Sequence, residues 1–275
     1  MIINPICSRL ALSAAVLIPM SWGASAGGHN VGDSSWNIRL GGSVFAKPKY
    51  EGSNNYEVGG FPIVVPEFNA SASGGFGNRV KFRGLDDIRF RALSAGGFEI
   101  GPVAGYRSGR DQDDGRRLGG LGDIEGGLVL GGYVGYRLGY VLLDAAASTA
   151  VTGDNSGFQF RFGAESTYHI YDWIEFTGRV GATYASDDYM DTYFGVTAPQ
   201  VKASTAGLSA FDASSGFKDI HVELGTKIEL TTSLNLLLGA RYARLIGDAA
   251  HSPVIETADQ FSGSIGLSYK FNFGG

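Results

Sequence analysis

Cysteine is almost absent from this chain. The single one among 275 residues is Cys7. It precedes the apolar run at 10–20 instead of following it, which is the wrong side for a lipid-anchored cysteine. The run is too short for a membrane helix, which needs about 20 residues. With Arg9 before it and Ala24-Ser25-Ala26 after it, residues 1–26 have the form of a cleaved signal peptide. The chain left after such a cleavage has no cysteine, so disulfides and thiolate metal sites are excluded. No later run of about 18 apolar residues exists, which leaves no helical span, and mean hydropathy is +0.01. The net charge of −5 gives no basic surface for nucleic acid. Nucleophile elbows, phosphate-binding loops and metal-spaced histidine pairs are missing as well, so no cofactor is expected.

Aromatics and glycine are plentiful instead: 17 phenylalanines, 13 tyrosines and 43 glycines against 8 prolines. At 157–171, GFQFRFGAESTYHIY, Phe158, Phe160, Phe162, Ala164, Tyr168 and Ile170 share one parity. Gln159, Arg161, Glu165, Thr167 and His169 hold the other. Strand side chains alternate between faces, so this stretch has one apolar and one wet side. Its length suits an oblique bilayer crossing of about 9–11 residues better than a soluble strand of about 5–6.

The pattern recurs at 36–46, 76–83, 88–93, 98–107, 124–140, 141–152, 174–184, 220–230, 234–242 and 261–273. A further segment, 58–68, is apolar but carries two prolines, which makes it the weakest strand. These readings predict an all-β, transmembrane, antiparallel up-and-down β-barrel of about 12 strands over 36–275, preceded by a periplasmic segment at 27–35. Such barrels have short periplasmic turns and longer extracellular loops. The long connections near 48–56, 108–123, 186–216 and 247–258 are all odd-numbered, which predicts that they gather at the outer end.

Three segments carry a family resemblance: YEGSNNYEVGGFPIVVPEF at 50–68, DDYMDTYFGVTAP at 187–199 and GDAAHSPVI at 247–255. They occur in order along the whole mature chain, which resembles the MipA/OmpV family (MltA-interacting protein and relatives). The resemblance implies an outer-membrane protein. It also implies a bridging role between a lytic transglycosylase and a murein synthase, although other members are described as adhesins or envelope-stress proteins.

Several constellations remain for the structure to decide. The wet parity offers Arg79, Lys81, Arg83, Arg89, Arg91, Arg107 and Arg179 against Glu165, Glu175, Asp219, Glu223 and Glu229. Those charges either create a transverse field in a solute-selective pore or fill a narrow lumen with ion pairs. The second reading is preferred, because unpaired buried charge is very costly. His251-Ser252 raises the possibility of a barrel lipid hydrolase, without an obvious orienting carboxylate. Asp187, Asp188 and Asp191 could hold a cation, although acidic loops are usually just solvated. In the 186–216 connection, Tyr189, Met190, Asp191, Tyr193 and Phe194 form a segment too apolar to stay in solvent, expected to fold back over or into the barrel mouth and narrow the lumen. Residues 204–215 are small and polar and are expected to stay flexible. The function expected is that of a non-enzymatic scaffold in contact with outer-membrane lipid; a small-solute channel or adhesin is the alternative, and a hydrolase the third.

Overall fold

The computed structural model describes residues 36–68, 79–154 and 157–273. The leader expected at 1–26 and the segment at 27–35 lie outside them. The first strands are β1 (Trp36–Pro48), β2 (Tyr56–Phe68), β3 (Val80–Gly84), β4 (Asp87–Phe90), β5 (Leu93–Ala95) and β6 (Phe98–Arg107). Then come β7 (Gly127–Leu138), β8 (Val141–Ala150), β9 (Phe158–Tyr171) and β10 (Ile174–Ala185). The set ends with β11 (Gly216–Glu229), β12 (Leu234–Leu245) and β13 (Asp259–Phe273). Three short helices lie in the connections: α1 (Asp187–Phe194), α2 (Ala198–Ala203) and α3 (Gly247–His251).

All the strands belong to one sheet ordered β2-β1-β13-β12-β11-β10-β9-β8-β7-β6-β4-β3, with β5 also on β6. Each neighbouring pair is antiparallel, and the last strand returns to the first: β13 pairs β1 from Ile38↔Phe271 to Ala46↔Gly263. Among the described residues the path ends at β2 and β3, which flank the undescribed 69–78.

Thirteen strands make twelve wall positions, because β4 and β5 share one. Ile88 pairs Ala104 and Leu93 pairs Ile100, all on β6. The strand expected at 88–93 is therefore broken at Arg91-Ala92. Gly101 on β6 permits the break: a Cβ there would sit 1.7 Å from the Phe90 carbonyl oxygen. The doubtful 58–68 segment is a full strand, registered on β1 from Trp36↔Phe68 to Pro48↔Tyr56. Pro62 and Pro66 have the same parity, so both missing N–H groups fall along one edge.

Burial is inverted relative to a soluble protein. On β9, Phe158, Phe160 and Phe162 are exposed while Gln159 and Glu165 are buried. Leu128, Leu130, Ile220, Val222, Leu224, Ile265 and Leu267 are exposed in the same way. Hydrocarbon offers no hydrogen bonds, so a barrel whose ladders satisfy the backbone internally can place this apolar face in lipid. Tight turns close one end: Gly96 and Gly97, at φ +58° and +87°, form a two-residue reversal of the kind that favours glycine at both central positions. The long connections gather at the other end, as the odd-numbered count predicts.

Candidate functional site

The outer mouth is covered by a cap built from these long connections. Ser186 starts α1: its Oγ accepts from Tyr189 N at 3.5 Å and from Phe158 N at 3.1 Å. Asp187 and Asp188 occupy the first turn, where negative charge complements the helix dipole. Tyr189, Met190, Tyr193 and Phe194 recur at i, i+1, i+4 and i+5, so they line one helix face. All four are buried, Phe194 completely at 0 % exposure. They pack with Ala185, Ala213, Leu245, Ala249 and Ile255. A second cluster joins Tyr50, Leu118, Leu121, Val196, Leu208 and Val254, so four separate connections share the cap.

Polar contacts fasten the cap to the wall. The Tyr189 hydroxyl donates to Glu51 at 3.3 Å, and Glu51 also accepts from Lys218 Nζ at 2.6 Å. The Arg107 guanidinium lies 4.9 Å from the Tyr189 ring centre. Arg110 Nη1 donates to the Tyr193 carbonyl at 2.6 Å, and the Tyr193 hydroxyl donates to Ser108 O at 3.2 Å. Burial raises the Tyr50 phenol to about 12, with the Glu256 charge pushing the same way. Burial also raises Tyr193 and, well above its ordinary value, Tyr189. Burial lowers the Arg110 guanidinium from its ordinary value.

Residues 204–215, expected to be flexible, are tied in. Thr205 N donates to Gly119 O at 3.0 Å, and Val196 and Phe211 exchange a bridge. Asp191 accepts from Ala213 N at 3.1 Å, Asp248 from Ser214 N at 2.9 Å, and Asp187 from Ser215 N. Two of the three carboxylates weighed for a cation therefore have an oxygen occupied by a backbone amide. No cluster able to hold a metal occurs among the described residues. His251 is exposed and Ser252 buried. The Ser252 hydroxyl donates to Phe194 O and accepts from Val254 N at 3.2 Å.

Below the cap, charged side chains cross the lumen. Asp144 on β8 is the hub: Arg89 on β4 lies 2.6 Å from it, Arg179 on β10 2.8 Å and Arg83 on β3 3.9 Å. Arg83 also pairs with Glu165, Arg89 with Asp87 at 2.7 Å, and Arg161 with Asp86. On the far wall, Asp219 contacts His221 at 2.8 Å and Lys218 at 3.0 Å, while Glu223 accepts from Arg241 at 3.1 Å and lies 3.8 Å from Arg179. Lys81 meets Glu99 at 2.8 Å, with Arg91 4.0 Å from the same carboxylate. Glu175 pairs with His169 at 3.2 Å.

Glu229 is exposed and pairs only locally, with Lys227 at 3.1 Å, because it ends β11 at a tight turn. Arg79 is half-buried, and its backbone carbonyl accepts from Arg91 N. The hub itself, Asp144, was not among the expected residues, nor were Asp86, Asp87, Glu51 and Lys218. Asp144 sits in VLLDAAASTA, where alanines on both parities blur the wet face. The isolated carboxylate was the one available signal.

A cavity of about 240 Å³ lies between cap and network, bordered by Glu51, Arg83, Arg110, Tyr189, Tyr193 and Glu223 among others.

The MltA-interacting protein MipA family is matched over residues 40–271. Outer membrane protein OmpV of Vibrio cholerae is 26 % identical over 209 residues, covering 74 % of each chain. Outer membrane protein Omp26La of Vibrio anguillarum is 25 % identical over 165 residues, 58 % of this chain and 61 % of its own length. Among solved structures, the translocator domain of the autotransporter NalP from Neisseria meningitidis is similar at 11 % identity. That match covers 86 % of this chain and 88 % of the other, with a TM-score of 0.39. The NanC porin is similar at 8 % identity over 86 % of this chain and 100 % of its own, with a TM-score of 0.38.

Proposed function

Since the chain belongs to the MltA-interacting protein MipA family, we propose that this outer-membrane barrel is a scaffold that docks a murein-remodelling enzyme, a lytic transglycosylase first. The observation that carries the reading is the filled bore. Asp144 gathers three arginines from other strands of the wall, and the cap lies across the mouth. A barrel obstructed in this way works through its surfaces. The surface facing a murein enzyme is the set of periplasmic turns. Tyr140 is 88 % exposed there, and Tyr171 and Trp173 stack at 5.8 Å with an interplanar angle of 11°. The family's description supplies the partner; a murein synthase would join as a second one held by the same barrel.

The test is capture from detergent-solubilised envelopes with the tagged full-length protein. A lytic transglycosylase should be retained by the wild type and depleted several-fold by the triple variant Tyr140→Ala, Tyr171→Ala, Trp173→Ala. Equal retention by both, or none by either, contradicts the proposal.

The channel reading retains one observation in its favour, the cavity under the cap. It requires the cap and the Asp144 network to part together.

A further inference from the structure

We propose that the cavity beneath the cap is a binding site for one small oxyanion, a carboxylate or a phosphate. Basic side chains bordering it outnumber acidic ones, nine to five. Arg110 and Arg83 both keep buried N–H donors without a hydrogen bond, although Arg83 also faces Glu165 and, at 3.9 Å, Asp144. Arg110 is 5 % exposed, and its Nη1 is occupied by the Tyr193 carbonyl. Its Nε is buried without a hydrogen-bond acceptor. Among the described residues no carboxylate pairs with it. Arg83 pairs with Glu165 through Nη1, while its buried Nε and Nη2 have no hydrogen-bond acceptor. A buried cation with unfilled donors is costly, and an added anion relieves that cost. Both arginines border the same cavity. A guanidinium offers a planar fork of N–H donors that matches carboxylate and phosphate oxygens.

Size narrows the ligand further. The cavity volume, about 240 Å³, is ample for several waters. That admits phosphate or a short carboxylic acid. Tyr189 and Tyr193 supply a wall of rings on the cap side. The site is separate from the periplasmic turns of the scaffold reading, and either can fail without the other.

Isothermal titration calorimetry on the full-length protein in detergent tests the site with three probes: inorganic phosphate, acetate, and acetamide as the neutral counterpart of acetate. Phosphate or acetate should bind saturably near one per barrel, and which one binds identifies the oxyanion class. Acetamide should not bind. Arg110→Gln should weaken binding at least ten-fold. The paired change Arg83→Gln with Glu165→Gln removes a cation without stranding its partner and should weaken binding similarly. No saturable binding of either anion, equal binding of acetamide, or unchanged affinity in both variants would overturn the proposal.

Discussion

The hydroxyl of Ser252 donates to the backbone carbonyl of Phe194 at 2.6 Å, joining two connections of the cap. Ser252 Oγ also accepts from Val254 N, so it serves the cap in both directions. Ser252→Ala would leave the Phe194 carbonyl and the Val254 amide without it, at about 1–3 kcal/mol for buried unsatisfied groups. The expected outcome is faster proteolytic cutting within 187–258, with the barrel strands still resistant. Unchanged cutting would show that the bond contributes little to the cap.

Asp144 faces three arginines, and removing one member of a buried ion network costs roughly 3–5 kcal/mol. Asp144→Asn should therefore lower the urea midpoint for unfolding from lipid vesicles substantially. Glu229→Gln, at an exposed local pair, should change it by less than about 1 kcal/mol. Equal effects from the two would contradict the hub assignment.

Gly157 is where the cap meets β9. A Cβ there would lie 2.3 Å from Tyr189 N, against backbone that cannot rotate away. Gly157→Ala should displace the start of α1 and raise proteolysis near Tyr189 and Tyr193. Wild-type resistance at those sites in the variant would mean that α1 does not need this close approach.

The cap should loosen in alkali. Tyr50, Tyr189 and Tyr193 all have phenols raised by burial, whereas an unfolded tyrosine titrates near 10. The unfolded cap therefore releases protons first as pH rises. The stability these groups contribute is complete below about pH 10 and falls as pH rises toward the folded values, about 12 for Tyr50. Proteolysis of the cap should accelerate between about pH 10 and about pH 12, and Tyr50→Phe should flatten part of that rise. A flat profile across that range contradicts the buried environment of the phenols.

The barrel was legible because alternation is local: Phe158 through Ile170 expose their parity without reference to any other strand. The count of twelve survived even though 88–93 is split, since β4 and β5 occupy one wall position. The aromatic half of the 186–216 connection announced its own burial, and Tyr189, Met190, Tyr193 and Phe194 carry the spacing of a helix face. Its second half did not. Residues 204–215 are held by Gly119 and Asp248 of other connections and by Asp191 of α1, through backbone or carboxylate oxygens. No property of KASTAGLSAFDASSG itself records those partners. Asp144 was obscured for a related reason: its role depends on arginines from three other strands.

The central claim is that this barrel is occluded and acts through its surfaces. Reconstituted in a planar bilayer at neutral pH, the full-length protein should give no steady conductance. Asp144→Asn, with the network weakened and the cap intact, should give at most brief openings. Sustained ion-selective openings from the wild type would contradict the claim.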